Sequence, residues 1–173
     1  EYFVEIDKKI EELESIRTRL NIPRETIELI VNSVFFDNVK ILEIGTFNGY
    51  SSLWLSKISN DVLTIEINAD SVENAKKNLE GTSVEVVLGD ALEVIPALDK
   101  KFNVVLIDAA KHEYGAYLEK ILGKLEDDFL IFVDNTISHG EKITSLFEVL
   151  NKHSELEWKE IGIGKGLIVI KKS

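Results

Sequence analysis

Val39-Lys40-Ile41-Leu42-Glu43-Ile44-Gly45-Thr46-Phe47-Asn48-Gly49-Tyr50-Ser51-Ser52 is the stretch from which the fold can be read. An apolar, β-branched run over 39–44 stops at Gly45, and just past Gly49 a helical pattern begins with Tyr50, Leu53, Trp54 and Ile58. A strand that is apolar almost throughout is one covered by helices on both faces. Glycine is needed where such a strand turns tightly into a helix and leaves the backbone open to a ligand.

The same alternation repeats downstream. Apolar runs recur at 62–67, 84–88, 104–107 and 129–133. Helical patterns lie between them: 72–79 with Asp70 or Ser71 as cap and Gly81 as stop, a short segment leading to Pro96, then 114–125 and 141–150. Strand–helix alternation implies right-handed crossovers and an α/β fold on a parallel sheet. The ends depart from the pattern. Residues 4–20 predict an amphipathic helix, and Pro23 opens a second one through Phe36. Runs at 156–163 and 167–170 flank Gly164-Lys165-Gly166 and predict an antiparallel hairpin. No linker or repeat divides the chain, so one domain over 1–173 is expected, with a helical cap (1–36) on an α/β core (37–173).

At 173 residues and 45% apolar, the chain can enclose one sizeable core. The absence of cysteine excludes disulfides, thiolate metal sites and cysteine nucleophiles. The net charge of −11 disfavours attraction to a polyphosphate backbone, and the lysine pairs are too scattered to form a basic patch. No apolar run is as long as a bilayer span and no secretory leader pattern opens the sequence, so the expectation is a soluble, cytoplasmic protein with no membrane partner.

Five acidic positions give the site its chemistry. Glu66 stands at the end of the second strand, where a carboxylate can accept hydrogen bonds from both ribose hydroxyls. The amides opening the helix after Gly49 suit an anionic group such as a carboxylate, with the Ser51 hydroxyl beside them. The glycines are spaced G-x-x-x-G, not G-x-G-x-x-G, and Glu43 would repel a pyrophosphate but favour an ammonium. A cofactor with an amino-acid end and a ribose but no phosphates fits better than a dinucleotide. Asp90, in Gly89-Asp90-Ala91, either holds an adenine amino group or caps a helix. Asp108 ends the fourth strand and Asp134-Asn135 the fifth, so three hard oxygen donors open onto one crevice and make half a shell for Mg²⁺ or another divalent cation. Lys111 is three residues past Asp108, within reach of a substrate hydroxyl as a base.

At these residues the sequence resembles the metal-dependent O-methyltransferases, the catechol and caffeoyl-coenzyme-A type with their prokaryotic relatives. The matching stretches are ILEIGTFNGYSSLWL (41–55), 64–67, GDALEVIPAL (89–98), VLIDAAKHEY (105–114) and IFVDN (131–135). The resemblance implies a class I methyltransferase fold: Rossmann-like, doubly wound, with a mostly parallel seven-stranded sheet and a C-terminal antiparallel hairpin. It implies S-adenosylmethionine held by Gly45, Ser51, Glu66, Asp90, Ala91 and Asp108, with Glu43 at the family's acidic position, in direct or indirect contact. Asp108, Asp134 and Asn135 would bind Mg²⁺, and Lys111 would be the general base. The acceptor would be a small catechol-like hydroxylated molecule, or in the same family a hydroxyuridine of tRNA, and the protein a homodimer. Ala110, Asp127-Asp128-Phe129 and Thr136-Ile137 depart from the family pattern. A nicotinamide-dependent oxidoreductase and a non-catalytic cofactor-binding module are the readings from other classes.

Overall fold

The computed structural model describes residues 2–18, 20–137 and 140–173. Its centre is a seven-stranded sheet of β1 (Lys40–Ile44), β2 (Asp61–Glu66), β3 (Glu85–Leu88), β4 (Phe102–Ile107), β5 (Leu125–Asp134), β6 (Leu156–Ile161) and β7 (Leu167–Lys172). The strand order is β3-β2-β1-β4-β5-β7-β6. The first five strands are parallel, while β7 runs antiparallel to β5 and to β6. The chain builds outward from β1 in one direction and from β4 in the other, so a crevice opens beyond the carboxyl ends of those two neighbours.

The two-residue period of the strands feeds two apolar cores. Leu42, Ile44, Val105, Ile107, Ile131 and Val133 face α5 (Ala91–Ala97), α6 (Tyr114–Leu122) and α7 (Thr144–Lys152). Ile41, Val104, Leu106 and Phe132 face α1 (Tyr2–Ser15), α2 (Arg24–Asn32), α3 (Tyr50–Ser56) and α4 (Ala69–Asn78). Both faces are therefore covered, which explains why these strands read as unbroken apolar runs. Among the described residues no helix is long and apolar enough to cross a membrane.

Several boundaries differ from those the sequence predicts. The first helix ends at Ser15, not residue 20, and Ile16 and Leu20 are exposed; Arg19 lies outside the described residues. The second ends at Asn32, short of Phe36, with Pro23 as its cap residue. In α4 the cap is Asn68, whose side chain accepts from the Ser71 amide at 2.9 Å, because the chain turns helical two residues earlier than Asp70 suggests. Helix α6 stops at Leu122, with Gly123 as its cap. The Lys124 carbonyl then accepts from the Phe102 amide at 2.7 Å, so β5 begins at Leu125 and Phe129 is mid-strand. Residues 140–143 form a 3-10 turn, and α7 begins only at Thr144.

Gly45 has φ +100°, and a β-carbon there would stand 1.9 Å from the Asp108 carbonyl oxygen. Gly81 has φ +87° with open space around it. Alanine at residue 81 is expected to cost about 1 kcal/mol of left-handed strain, whereas alanine at residue 45 must also separate β1 from β4. Urea denaturation of Gly45→Ala and Gly81→Ala should show the first losing several times more stability, or failing to fold. Equal losses would contradict this packing.

Candidate active site

At the carboxyl end of the sheet a cavity of about 340 Å³ is lined by residues from the ends of β1, β2, β3, β4 and β5. Gly45, Ser51, Glu66, Asp90, Ala91, Asp108, Lys111, Asp134 and Asn135 all line it. Five strand ends, separated by up to 90 residues of chain, are thus brought to one place by the parallel register alone.

On the β1–β3 side the backbone prepares the acidic groups. The Gly45 amide donates to the Ile65 carbonyl at 2.9 Å, fixing the turn against β2. Glu66 accepts from the Phe47 amide at 2.8 Å and from the Asn68 amide at 3.1 Å. A carboxylate has about four lone-pair sites, so both oxygens keep capacity toward the cavity. Asp90 caps α5 by accepting from the Leu92 amide at 3.0 Å, which realises the capping alternative, and its side chain lines the cavity as well.

Glu43 stands elsewhere. It is fully buried and does not line the cavity. In β1 it shares the face of Ile41, so the pleat carries it beneath α3, whose Ser51 joins it to the cavity wall. There Ser51 and Ser52 donate to it, the latter at 2.5 Å, and Thr64, its register partner on β2, donates at 2.8 Å. Burial and the nearby Asp108 charge push the Glu43 carboxyl up to about 7, against the pull of the three hydroxyls. The Ser51 hydroxyl proton is thereby committed to Glu43.

On the β4–β5 side two carboxyls crowd together. Asp134 is 2% exposed, and its Oδ1 is buried without a hydrogen-bond partner. Burial and repulsion from Asp108 push Asp134 up to about 7. Burial raises Asp108 too, opposed by Lys111 and Lys165. Lys111 Nζ lies 3.3 Å from Asp108 Oδ1, donates to the Ala109 carbonyl at 2.9 Å and sits 5.1 Å above the Tyr114 ring. Tyr114 in turn donates to the Asp134 carbonyl at 3.0 Å. Asn135 adopts φ +64°, a conformation that asparagine tolerates better than most residues, and its amide donates to the Gly166 carbonyl at 2.9 Å. An orphaned carboxylate oxygen beside a second, repelled carboxylate fits a divalent cation, which would partner the one and relieve the repulsion of both. Two carboxylates and a carboxamide are hard oxygen donors suited to Mg²⁺.

Further residues of the cavity come from outside these strand ends. Asn21 Nδ2 donates to Asn48 Oδ1 at 3.0 Å, and the same oxygen accepts from the Tyr50 amide at 3.1 Å. This pair fastens Leu20-Asn21-Ile22 over the glycine turn, and all three residues line the cavity. Glu113 and Tyr117 line it as a bonded pair at 2.8 Å, and Lys165 enters from the β6–β7 turn. The position of Asn48 inside the G-x-x-x-G turn was the available signal for the first pair.

A family model described as O-methyltransferase matches residues 8–170. The chain belongs to the O-methyltransferase family. It is 36% identical over 109 residues to a catechol O-methyltransferase of Mycobacterium tuberculosis, covering 58% of this chain and 50% of that protein. A crystal structure described as a putative caffeoyl-CoA O-methyltransferase of Staphylococcus aureus superposes with TM-score 0.79 at 27% identity, over 98% of this chain and 100% of that one. The O-methyltransferase TomG of Streptomyces achromogenes, solved in complex with SAM, shares the fold with TM-score 0.84 at 24% identity, over 98% and 89% of the two chains. The chain spans about half the length of the first curated relatives it matches. Membership sets aside the oxidoreductase reading of the glycine turn, and the observed sheet is the class I methyltransferase fold.

The buried acid of this family member gives a pH dependence. A folded-state value near 7, above the ordinary 4.5, means that the folded chain holds more protons than the unfolded chain between those values. Stability therefore falls as pH rises from about 4.5 to about 7 and levels off above. Asp134 adds a slope of the same sign. Glu43→Gln should flatten the decline, leaving only the remainder due to Asp134 and its neighbours. Melting temperatures measured across this range check it, and an unchanged slope in the variant would contradict the assignment.

Proposed function

We propose that this chain moves the methyl group of S-adenosylmethionine to a hydroxyl oxygen, one of a vicinal pair, with the help of Mg²⁺ or another divalent cation. The observation that carries the reading is the buried, partnerless Oδ1 of Asp134 beside Asp108, in the same cavity as the glycine turn and with Lys111 at 3.3 Å from Asp108. The cofactor supplies an electrophilic methyl group, and the cation supplies charge that lowers the pKa of a bound hydroxyl.

In this reading Gly45 leaves room at the end of β1, while Glu66 takes the ribose hydroxyls on lone pairs not used by Phe47 and Asn68. Asp90 and Ala91 lie at the adenine end. Ser51 faces the amino-acid end, held by Glu43, which acts from beneath the turn. Asp108, Asp134 and Asn135 hold the cation, and Asp108 closes the cofactor site as well. Lys111 Nζ, as the free amine once the cation has taken its place beside Asp108, takes the proton of the attacking hydroxyl and becomes the ammonium. The 20–22 segment excludes water, so that alignment of the two reactants supplies much of the acceleration. Residues 1–173 work as one methyltransferase domain, with residues 1–36 as its cap. A small catechol-like acceptor is favoured over tRNA by the net charge of −11.

Two variants test this. Lys111→Ala should lower kcat with catechol by about 10²–10⁴-fold, the usual weight of a general base. Calorimetry should find S-adenosylmethionine bound within about twofold of wild type, since a charge-assisted contact is worth more than that. Joint loss of binding and turnover would refute the role. Asp134→Ala should abolish turnover that Mg²⁺ restores to wild type after chelation; full activity in chelator would refute the cation.

A further inference from the structure

Beside Glu66 the cavity keeps an apolar surface open. Ile67 directly follows Glu66, lines the cavity and is 71% exposed. Ala91, Ala109 and Ala110 line it too, and their small side chains leave depth for a flat ring. A ring laid against Ile67 removes that apolar surface from water, which is favourable. With the ribose on Glu66, the base of the cofactor takes this place.

Three polar side chains from the starts of two helices edge that space. Asp90 is the cap residue of α5, Glu113 is the cap residue of α6, and Tyr117 stands one turn into α6. All three line the cavity. Ala91 and Ile95 share one core with Tyr117 and Leu118, so the two helices start side by side. Tyr117 is 4% exposed, and its hydroxyl donates to Glu113 Oε2 at 2.8 Å. Burial raises the phenol most, the bond and charge of Glu113 add to it, and the charge of Asp90 adds further, so both carboxylates lie within reach of one hydroxyl. A phenol has a single proton, and a carboxylate only accepts. The proton of Tyr117 is given to Glu113, so these three side chains offer a ligand no donor. Asp90 Oδ1 accepts from the Leu92 amide, and Glu113 Oε1 is 3.9 Å from His112 Nε2, beyond hydrogen-bond length. With about four lone-pair sites each, both carboxylates keep capacity for a ligand.

We propose that Glu113 is a specificity-determining residue that shares with Asp90 the exocyclic amino group of the cofactor's adenine, each carboxylate accepting one of its two protons. This rests on the reading of the cavity as the S-adenosylmethionine site. An edge of acceptors matches a group with two N–H donors and no other common substituent of a purine at that position. A carbonyl oxygen there would face two carboxylates with lone pairs on both sides and no proton between them. Asp90 serves both as helix cap and as acceptor, since capping uses only one of its oxygens. Tyr117 is a positioning residue: its proton holds one oxygen of Glu113 and leaves the other for the base.

Calorimetric titration with S-adenosylhomocysteine and with S-inosylhomocysteine, in which an oxygen replaces the amino group, tests this without turnover. Wild type should bind the adenosyl compound about 100-fold more tightly or better, the size of two hydrogen bonds to charged groups. In Glu113→Gln the Tyr117 proton still bonds the side-chain oxygen, so the amide turns its NH₂ toward the base. The preference should then fall by about tenfold or more, with the adenosyl compound weaker and the inosyl compound tighter. Adding Tyr117→Phe frees the amide to rotate, and the preference should return part of the way to wild type. A merely structural role for Glu113 would weaken both ligands by one factor. An unchanged ratio in Glu113→Gln, or a wild type that binds both compounds equally, overturns the proposal and leaves methyl transfer standing. A wild type that binds neither compound overturns the cofactor reading, and this proposal with it.

Discussion

The carbonyl oxygen of Asp108 occupies the space that any side chain on residue 45 would need, 1.9 Å from where its β-carbon would stand. That approach is possible only for glycine, and it sets the distance between the ends of β1 and β4. The Asp108 amide donates to the Ile44 carbonyl at 2.9 Å across the same junction. The rest of the site depends on this contact. It joins the turn that would seat a cofactor to the carboxylates that would hold a cation, and it explains why Asp108 can serve both. Separate those strands and two half-sites remain, neither able to bring a methyl donor to a hydroxyl.

Around that junction the protein concentrates acids that burial disfavours. A buried carboxylate costs several kcal/mol unless it is bonded or neutralised. Glu43 and Asp134 meet this cost differently. Glu43 is surrounded by three hydroxyls and has a structural use, since it ties β1, β2 and the first turn of α3 together. Asp134 leaves Oδ1 without a partner and feels the charge of Asp108, so it stays unsatisfied within the protein alone. The contrast separates an acid whose bonds are made within the protein from one with an oxygen left unpartnered. Lys111 and Lys165 oppose the field from two directions, one from the β4 loop and one from the β6–β7 turn.

Much of this was legible in the sequence. Unbroken apolar runs could only be strands covered on both faces, and a parallel sheet brings their carboxyl ends to one edge, so Glu66, Asp108 and Asp134 were located without contacts. Helix ends were read less well. Gly123 and the pairing of Lys124 with Phe102 ended α6 three residues early, and no local periodicity encodes that long-range hydrogen bond. Glu43 was expected at the cofactor, in direct or indirect contact, and the strand pleat sets it beneath α3, bonded to Ser51 of the cavity wall. Asn21 with Asn48, and Glu113 with Tyr117, were missed because such pairs exist only once packing has brought their elements together.

The central claim is that the glycine turn and the β4–β5 carboxylates form one site, with cofactor and cation side by side. Diffraction from crystals grown with S-adenosylhomocysteine and Mn²⁺, recorded at the manganese edge, measures this directly. The account predicts one anomalous peak about 2.2 Å from oxygens of Asp108, Asp134 and Asn135, with the cofactor ribose on Glu66. A peak elsewhere, or bound cofactor with no metal beside Asp134 at saturating Mn²⁺, would contradict it.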